Sequence, residues 1–152
     1  MIACATALAV PSIASAGSGT TFWWGRSDDG SKLRLAIHKG KVTHSAYHGE
    51  TRCVYGGDEV TPYYGGDVAS LFNKTELRTN STFLSHQRYR NRDPRTGQNM
   101  PFERTLMGLA ERKRVLAEVN IHYKTQLNRR GHKLATCWTG HDRFALHLVD
   151  DR

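Results

Sequence analysis

The stretch Glu103–Lys124, ERTLMGLAERKRVLAEVNIHYK, decides the fold, because its two halves point to different secondary structures. Its Ala, Leu, Glu and Arg content favours a helix. Further on, Val115, Ala117, Val119, Ile121 and Tyr123 alternate with the polar Glu118, Asn120, His122 and Lys124. A helix would scatter those apolar residues around its circumference, whereas a strand gathers them on one face. The second half therefore predicts a strand of about nine residues, with Glu111–Arg114 as the turn before it. Residues 104–114 remain open between helix and strand.

The same period of two runs outward from there. In KLRLAIH, Lys32–His38, the apolar Leu33, Leu35 and Ile37 alternate with Lys32, Arg34 and His38. Asp28-Asp29-Gly30 before this segment and Lys39-Gly40-Lys41 after it are turn formers. Together they predict strands at Phe22–Arg26, at Ser31–His38 and from Lys41 through Val42, Tyr47 and Cys53-Val54-Tyr55. Four glycines and Pro62 make Gly56–Asp67 read as a long loop. VASLF (68–72) and STFLSHQRYR (81–90) read as strands, Asn91–Pro101 as a second polar loop, and 134–148 as two short strands meeting at Gly140. The expected fold is all-β, an antiparallel sandwich or small open barrel of about seven or eight strands.

A chain of 152 residues is long enough for one domain with a sizeable core. Residues 1–16 carry no charge and end in Ala14-Ser15-Ala16, which reads as a signal peptide cleaved between Ala16 and Gly17. Residues 17–152 are then one secreted domain, extracellular or periplasmic. No later apolar run approaches the roughly 18 residues of a membrane-spanning helix. Cleavage leaves two of the three cysteines, and two in an exported chain most simply form one bridge, Cys53–Cys137.

The ends of this domain resemble a loose group of uncharacterised small exported bacterial proteins. Their layout is a Gly-x-Ser/Thr-x-x-Gly strand start, a GKV turn, a cysteine, and a terminal Cys-x-Thr-Gly before a Phe-containing strand. The matching residues are Gly25, Ser27 and Gly30, then Gly40-Lys41-Val42, Cys53, and Cys137, Thr139, Gly140 and Phe144. The resemblance implies the β fold and the disulfide, carries no activity, and leaves Gly56–Pro101 uncovered.

Candidate chemistry is sparse. Cys137 with His141 and Asp142 has the composition of a thiol catalytic site, but four strand positions separate Cys137 from His141 by about 13 Å. A bridged Cys137 is also no nucleophile. Eight histidines raise the question of a metal, yet neither HExxH nor a CxxC pair occurs, and His44 and His48 are again about 13 Å apart. A metal site would need cross-strand convergence, for instance of His122 and His147, so neither metal nor cofactor is assigned. Glycosidic hydrolysis needs two carboxylates about 5–10 Å apart. Asp58, Glu59 and Asp67 around Tyr63-Tyr64 are the alternative catalytic set, for a glycoside or ester hydrolase.

The formal net charge of +8 directs attention to polyanions: wall polymers, acidic polysaccharide, lipid headgroups or released nucleic acid. Arg88, Arg90 and Arg92 alternate with Tyr89 and Asn91, so a strand would project three guanidiniums from one face, with Arg95 beyond. Guanidinium forks match phosphate or carboxylate oxygens. The competing role of such a row is to guard a sheet edge against aggregation. Arg112-Lys113-Arg114 and Arg129-Arg130-Lys133 fall in turns. Of the adjacent Trp23-Trp24, one should face the core and one solvent; an exposed tryptophan, Trp138 included, offers a stacking surface. The expected function is therefore a secreted, non-enzymatic binding module for an anionic polymer, centred on Arg88, Tyr89, Arg90, Arg92 and Arg95.

Overall fold

The computed structural model describes residues 19–55, 62–92, 97–126 and 134–149. They form β1 (Thr21–Arg26), β2 (Lys32–His38), β3 (Lys41–Tyr55), β4 (Pro62–Leu71), β5 (Thr75–Glu76), β6 (Thr82–Arg92), β7 (Asn99–Ala110), β8 (Val115–Gln126), β9 (Leu134–Trp138) and β10 (Asp142–Leu148). The expected signal peptide, residues 1–16, lies outside the described residues.

All pairings are antiparallel. The order β10-β1-β2-β3-β9-β8 returns on itself because β8 also pairs β10, which closes a six-stranded barrel. Two long strands make this possible. β3 pairs β2 through Lys41–His48 and β9 through Arg52–Tyr55. β8 pairs β10 through Val115–Val119 and β9 through His122–Gln126. Outside the ring β3 carries β4 and β5, while β8 carries β7 and then β6. The two wings meet where Thr75 Oγ1 donates to Leu84 O at 2.9 Å and Arg78 N to Thr82 O at 2.8 Å.

The alternation seen in the sequence becomes burial. Leu33 and Leu35 of β2, Val115, Val119 and Ile121 of β8, and Phe144 and Leu146 of β10 enclose the core with Tyr47, Phe83 and Leu106. Trp23 is 7% exposed and Trp24 36%, the expected split of the pair. The β2–β3 turn has both Lys39 and Gly40 at positive φ, 47° and 72°, the geometry that matches hairpin twist.

The open segment resolves and the expected loops shorten. Residues 104–110, left open between helix and strand, are strand: β7 pairs with β6 and β8, so tertiary pairing overrides helix propensity. Gly108 shows why, since a Cβ there would collide with the Phe83 ring and Leu116 O. The supposed loop Gly56–Asp67 ends in strand from Pro62, and the loop Asn91–Pro101 shrinks because β6 runs through Arg92 and β7 starts at Asn99. Pro and Gly mislead in β4 because it pairs only with β3 among the described strands, and an edge strand tolerates a missing donor. Ten strands replace the expected seven or eight.

Cys53 and Cys137 are bonded and face each other directly in the β3–β9 register, 84 residues apart in sequence. With Ala135 they form a second small buried cluster against Tyr123. At the other end of the ring Tyr47 Oη, inside the core, donates to Asp142 Oδ2, with Ser31 Oγ at 3.4 Å. Burial pushes the Asp142 carboxyl above its usual range although Tyr47 and Ser31 hydrogen bonds oppose the shift, and burial likewise raises the Tyr47 phenol. Asp29, in the β1–β2 turn, is also penalised by burial, but its bonds from Ser27 and Ser31 outweigh this and lower it. Gly49 lies against the same cluster, where a Cβ would overlap Tyr47 Oη and Ser31 Oγ.

Replacing both Cys53 and Cys137 with alanine should lower unfolding free energy by about 3–4 kcal/mol in urea titration, as expected for a long closed loop. Asp142 binds its proton more tightly folded than unfolded, so its contribution is full below the ordinary carboxylate range and is lost as pH rises through the raised value. Asp142→Asn keeps an acceptor for Tyr47 and removes that loss. The stability of D142N minus that of wild type should accordingly rise as pH increases above the ordinary carboxylate range; a flat difference would refute the assignment.

Candidate functional site

A strand sends alternate side chains to alternate faces, so residues directly opposite on neighbouring strands form rows across a sheet. One such row crosses five strands on the outer face. Arg52 of β3 faces Trp138 of β9, Trp138 faces His122 of β8, His122 faces Glu103 of β7, and Glu103 faces Arg88 of β6. At the usual strand spacing the row spans roughly 19 Å. Beside it runs a shorter row, His86, Thr105 and Asn120, in which His86 Nδ1 lies 2.9 Å from Thr105 Oγ1.

Two concavities sit on these rows and share Glu103 and His122. One, about 490 Å³, is lined by Thr105, Asn120, Trp138, Gly140 and His141 besides the shared pair. The other, about 500 Å³, adds Arg88, Arg90, Pro101 and Lys124, with Tyr89, Phe102 and Tyr123 completing it. Together they make one groove running across the strands.

Its carboxylates are ionised. Arg88 Nη2 bonds Glu103 Oε1 at 3.0 Å, with His86 Nε2 at 3.6 Å, and the guanidinium first, then the neighbouring histidines, lowers the Glu103 pKa. His141 Nδ1 lies 2.7 Å from Glu118 Oε1 and Arg143 Nε 3.4 Å from Glu118 Oε2; these contacts lower Glu118 in turn, the His141 bond most. Glu118 faces Met107, four positions along β7 from Glu103, which sets the backbones of the two glutamates roughly 14 Å apart.

Arg88, Arg90 and Arg92 do share one exposed face. Tyr89 stands on the opposite face, stacked on Phe102 at 4.9 Å, and Phe102 stacks on Tyr123 at 5.5 Å. Arg104 covers the Tyr89 ring at 5.2 Å and reaches Ser70 Oγ at 2.8 Å, which ties the β6–β7 wing to β4. Arg95, Asp58, Glu59, Arg129, Arg130 and Lys133 lie outside the described residues, and Asp67 is placed only as the backbone partner of Glu50 in β4. The thiol alternative ends with the Cys53–Cys137 bond. His122 and His147 do not converge: His122 faces Trp138, while His147 faces Trp24 on β1. Among the described residues no group of three or more His, Cys, Asp or Glu is placed to hold a metal. Nor, among them, is any helix long and apolar enough to cross a membrane.

The sequence reading missed Arg52, Glu103, Glu118 and the setting of Trp138. Their proximity is set by register between strands far apart in the chain. The one local signal was that Trp138 directly follows Cys137, so a buried cysteine forces its neighbour outward.

No protein-family model, curated protein or solved structure matches this chain.

Replacing Arg88 with alanine should raise the Glu103 titration midpoint, followed by side-chain carboxyl NMR, because the main group favouring its charged form is gone. An unchanged midpoint would mean that the Arg88–Glu103 pair does not form in solution.

Proposed function

We propose that this protein is an exported, non-enzymatic module that binds an anionic polymer or surface, such as an acidic polysaccharide or cell-wall polymer. The observation that carries the reading is the outer face of β6, where Arg88 and Arg90 open into a groove that also holds Lys124 and His122. Arg92 extends the row, exposed and on the same face. Against these cations the groove sets one carboxylate, Glu103, and Arg88 partly neutralises it. Arg90, Arg92 and Lys124 have no carboxylate partner among the described residues, which leaves their charge for a ligand.

The bond between Cys53 and Cys137 supports work in an oxidising compartment, extracellular or periplasmic, in line with the leader read at residues 1–16. The ionised state of both Glu103 and Glu118 favours binding over hydrolysis in this groove.

Wild-type protein should be retained on immobilised heparin at low salt and elute earlier when Arg88, Arg90 and Arg92 are all alanine. An Arg112, Lys113 and Arg114 triple alanine variant has the same formal charge change in the β7–β8 turn and should elute later than the β6 variant. Equal elution of the two variants would reduce the effect to net charge, and flow-through of wild type would overturn the reading.

A further inference from the structure

Not every polyanion suits a groove built this way. The five-strand row ends in guanidiniums, Arg52 on β3 and Arg88 with Arg90 on β6, roughly 19 Å apart, and Lys124 of β8 adds an ammonium at the margin beside Arg90. Between them lie Trp138, half-buried, then His122 and the ionised Glu103. Asn120 and Thr105 flank this middle section, and Glu118 with His141 closes one side. No hydrogen bond from the Asn120 amide, the His122 ring or the Trp138 indole N–H is formed within the described residues. Each is a polar group directed at a concave surface and left for a ligand or water.

A phosphodiester chain fits this poorly. It carries a charge every few ångströms along each strand, so several phosphates would lie in the row and some of them against Glu103. A hydroxyl-rich ligand has the opposite response. Its O–H groups donate to the Glu103 carboxylate and to Asn120 Oδ1 and accept from the amide and indole N–H groups. The C–H face of a pyranose ring meets the electron-rich face of an indole, which covers apolar area without needing a charge. Acidic substituents then meet guanidinium forks only toward the ends, at Arg52 and at Arg90 beside the Arg88 that Glu103 already engages.

We propose that the row Arg52–Trp138–His122–Glu103–Arg88 is an acidic-oligosaccharide subsite, with Trp138 stacking on a central pyranose and the terminal arginines holding carboxylate or sulfate substituents. This deepens the polyanion reading and rests on it. The row crosses the strands, so a ligand along it lies across β3, β9, β8, β7 and β6.

The test uses full-length protein and four probes at matched salt: oligogalacturonate, dextran sulfate, neutral dextran and inorganic polyphosphate of similar charge. Wild type should bind at least one acidic oligosaccharide more tightly than polyphosphate and neutral dextran. Trp138→Ala should weaken that binding by about tenfold or more, the scale of a lost aromatic stack, and leave polyphosphate binding unchanged. Trp138→Phe, which keeps a ring and guards against a folding artefact, should retain most of the affinity. Oligogalacturonate binding without dextran sulfate binding assigns the end groups to carboxylates, and the reverse assigns them to sulfates. Equal binding of acidic sugars by wild type and W138A, or tighter binding of polyphosphate than of either sugar, overturns the sugar subsite while the polyanion reading stands. Loss of all binding in wild type overturns both.

Discussion

The position of β9 is the constraint on which the rest depends. This strand has five residues, yet it is the link between β3 and β8, the two strands that carry everything else. A strand so short has few hydrogen bonds with which to resist slipping, and a slip of one residue would exchange its faces. Ala135 and Cys137 would turn outward, and Thr136 and Trp138 inward. The Cys53–Cys137 bond forbids that exchange, because the two sulfurs meet only in the observed register. One covalent link therefore fixes both the closure of the ring and the outward placement of Trp138.

What could be read from the sequence followed from strand periodicity. Leu33 and Leu35, and Val115 through Tyr123, alternate because one face of each strand is buried, so their strands were visible. The cysteine pair was visible because reading residues 1–16 as a leader leaves two thiols, which have one simple solution. Only the first half of β4 was hidden, since Pro62 and its glycines are breakers in most contexts and become acceptable only on an edge; VASLF already read as strand. β7 stayed open between helix and strand because its helix-favouring composition is overruled only by pairing on both sides, with Gly108 making space for Phe83. The buried bond between Tyr47 and Asp142 joins residues 95 apart and leaves no local pattern.

The candidate site illustrates the same division. That Arg88, Arg90 and Arg92 share a face follows from alternation within one strand. That Arg88 stands opposite Glu103, and that the line continues through His122 and Trp138 to Arg52, depends on four separate registers. The acid partners also redistribute the charge. Arg88 is engaged by Glu103, and Arg143 and His141 by Glu118, pairings that a net charge of +8, which already counts the acids, does not reveal.

The row runs at right angles to the strands, and this has a mechanical meaning. Force on an antiparallel sheet separates it most easily by unzipping neighbouring strands one pair at a time. A polymer lying along the row spans β3, β9, β8, β7 and β6 and so bridges the seams where such tearing would start. Were the proposed polymer bound there, it would tie those seams to one another from outside, as a strap laid across staves does.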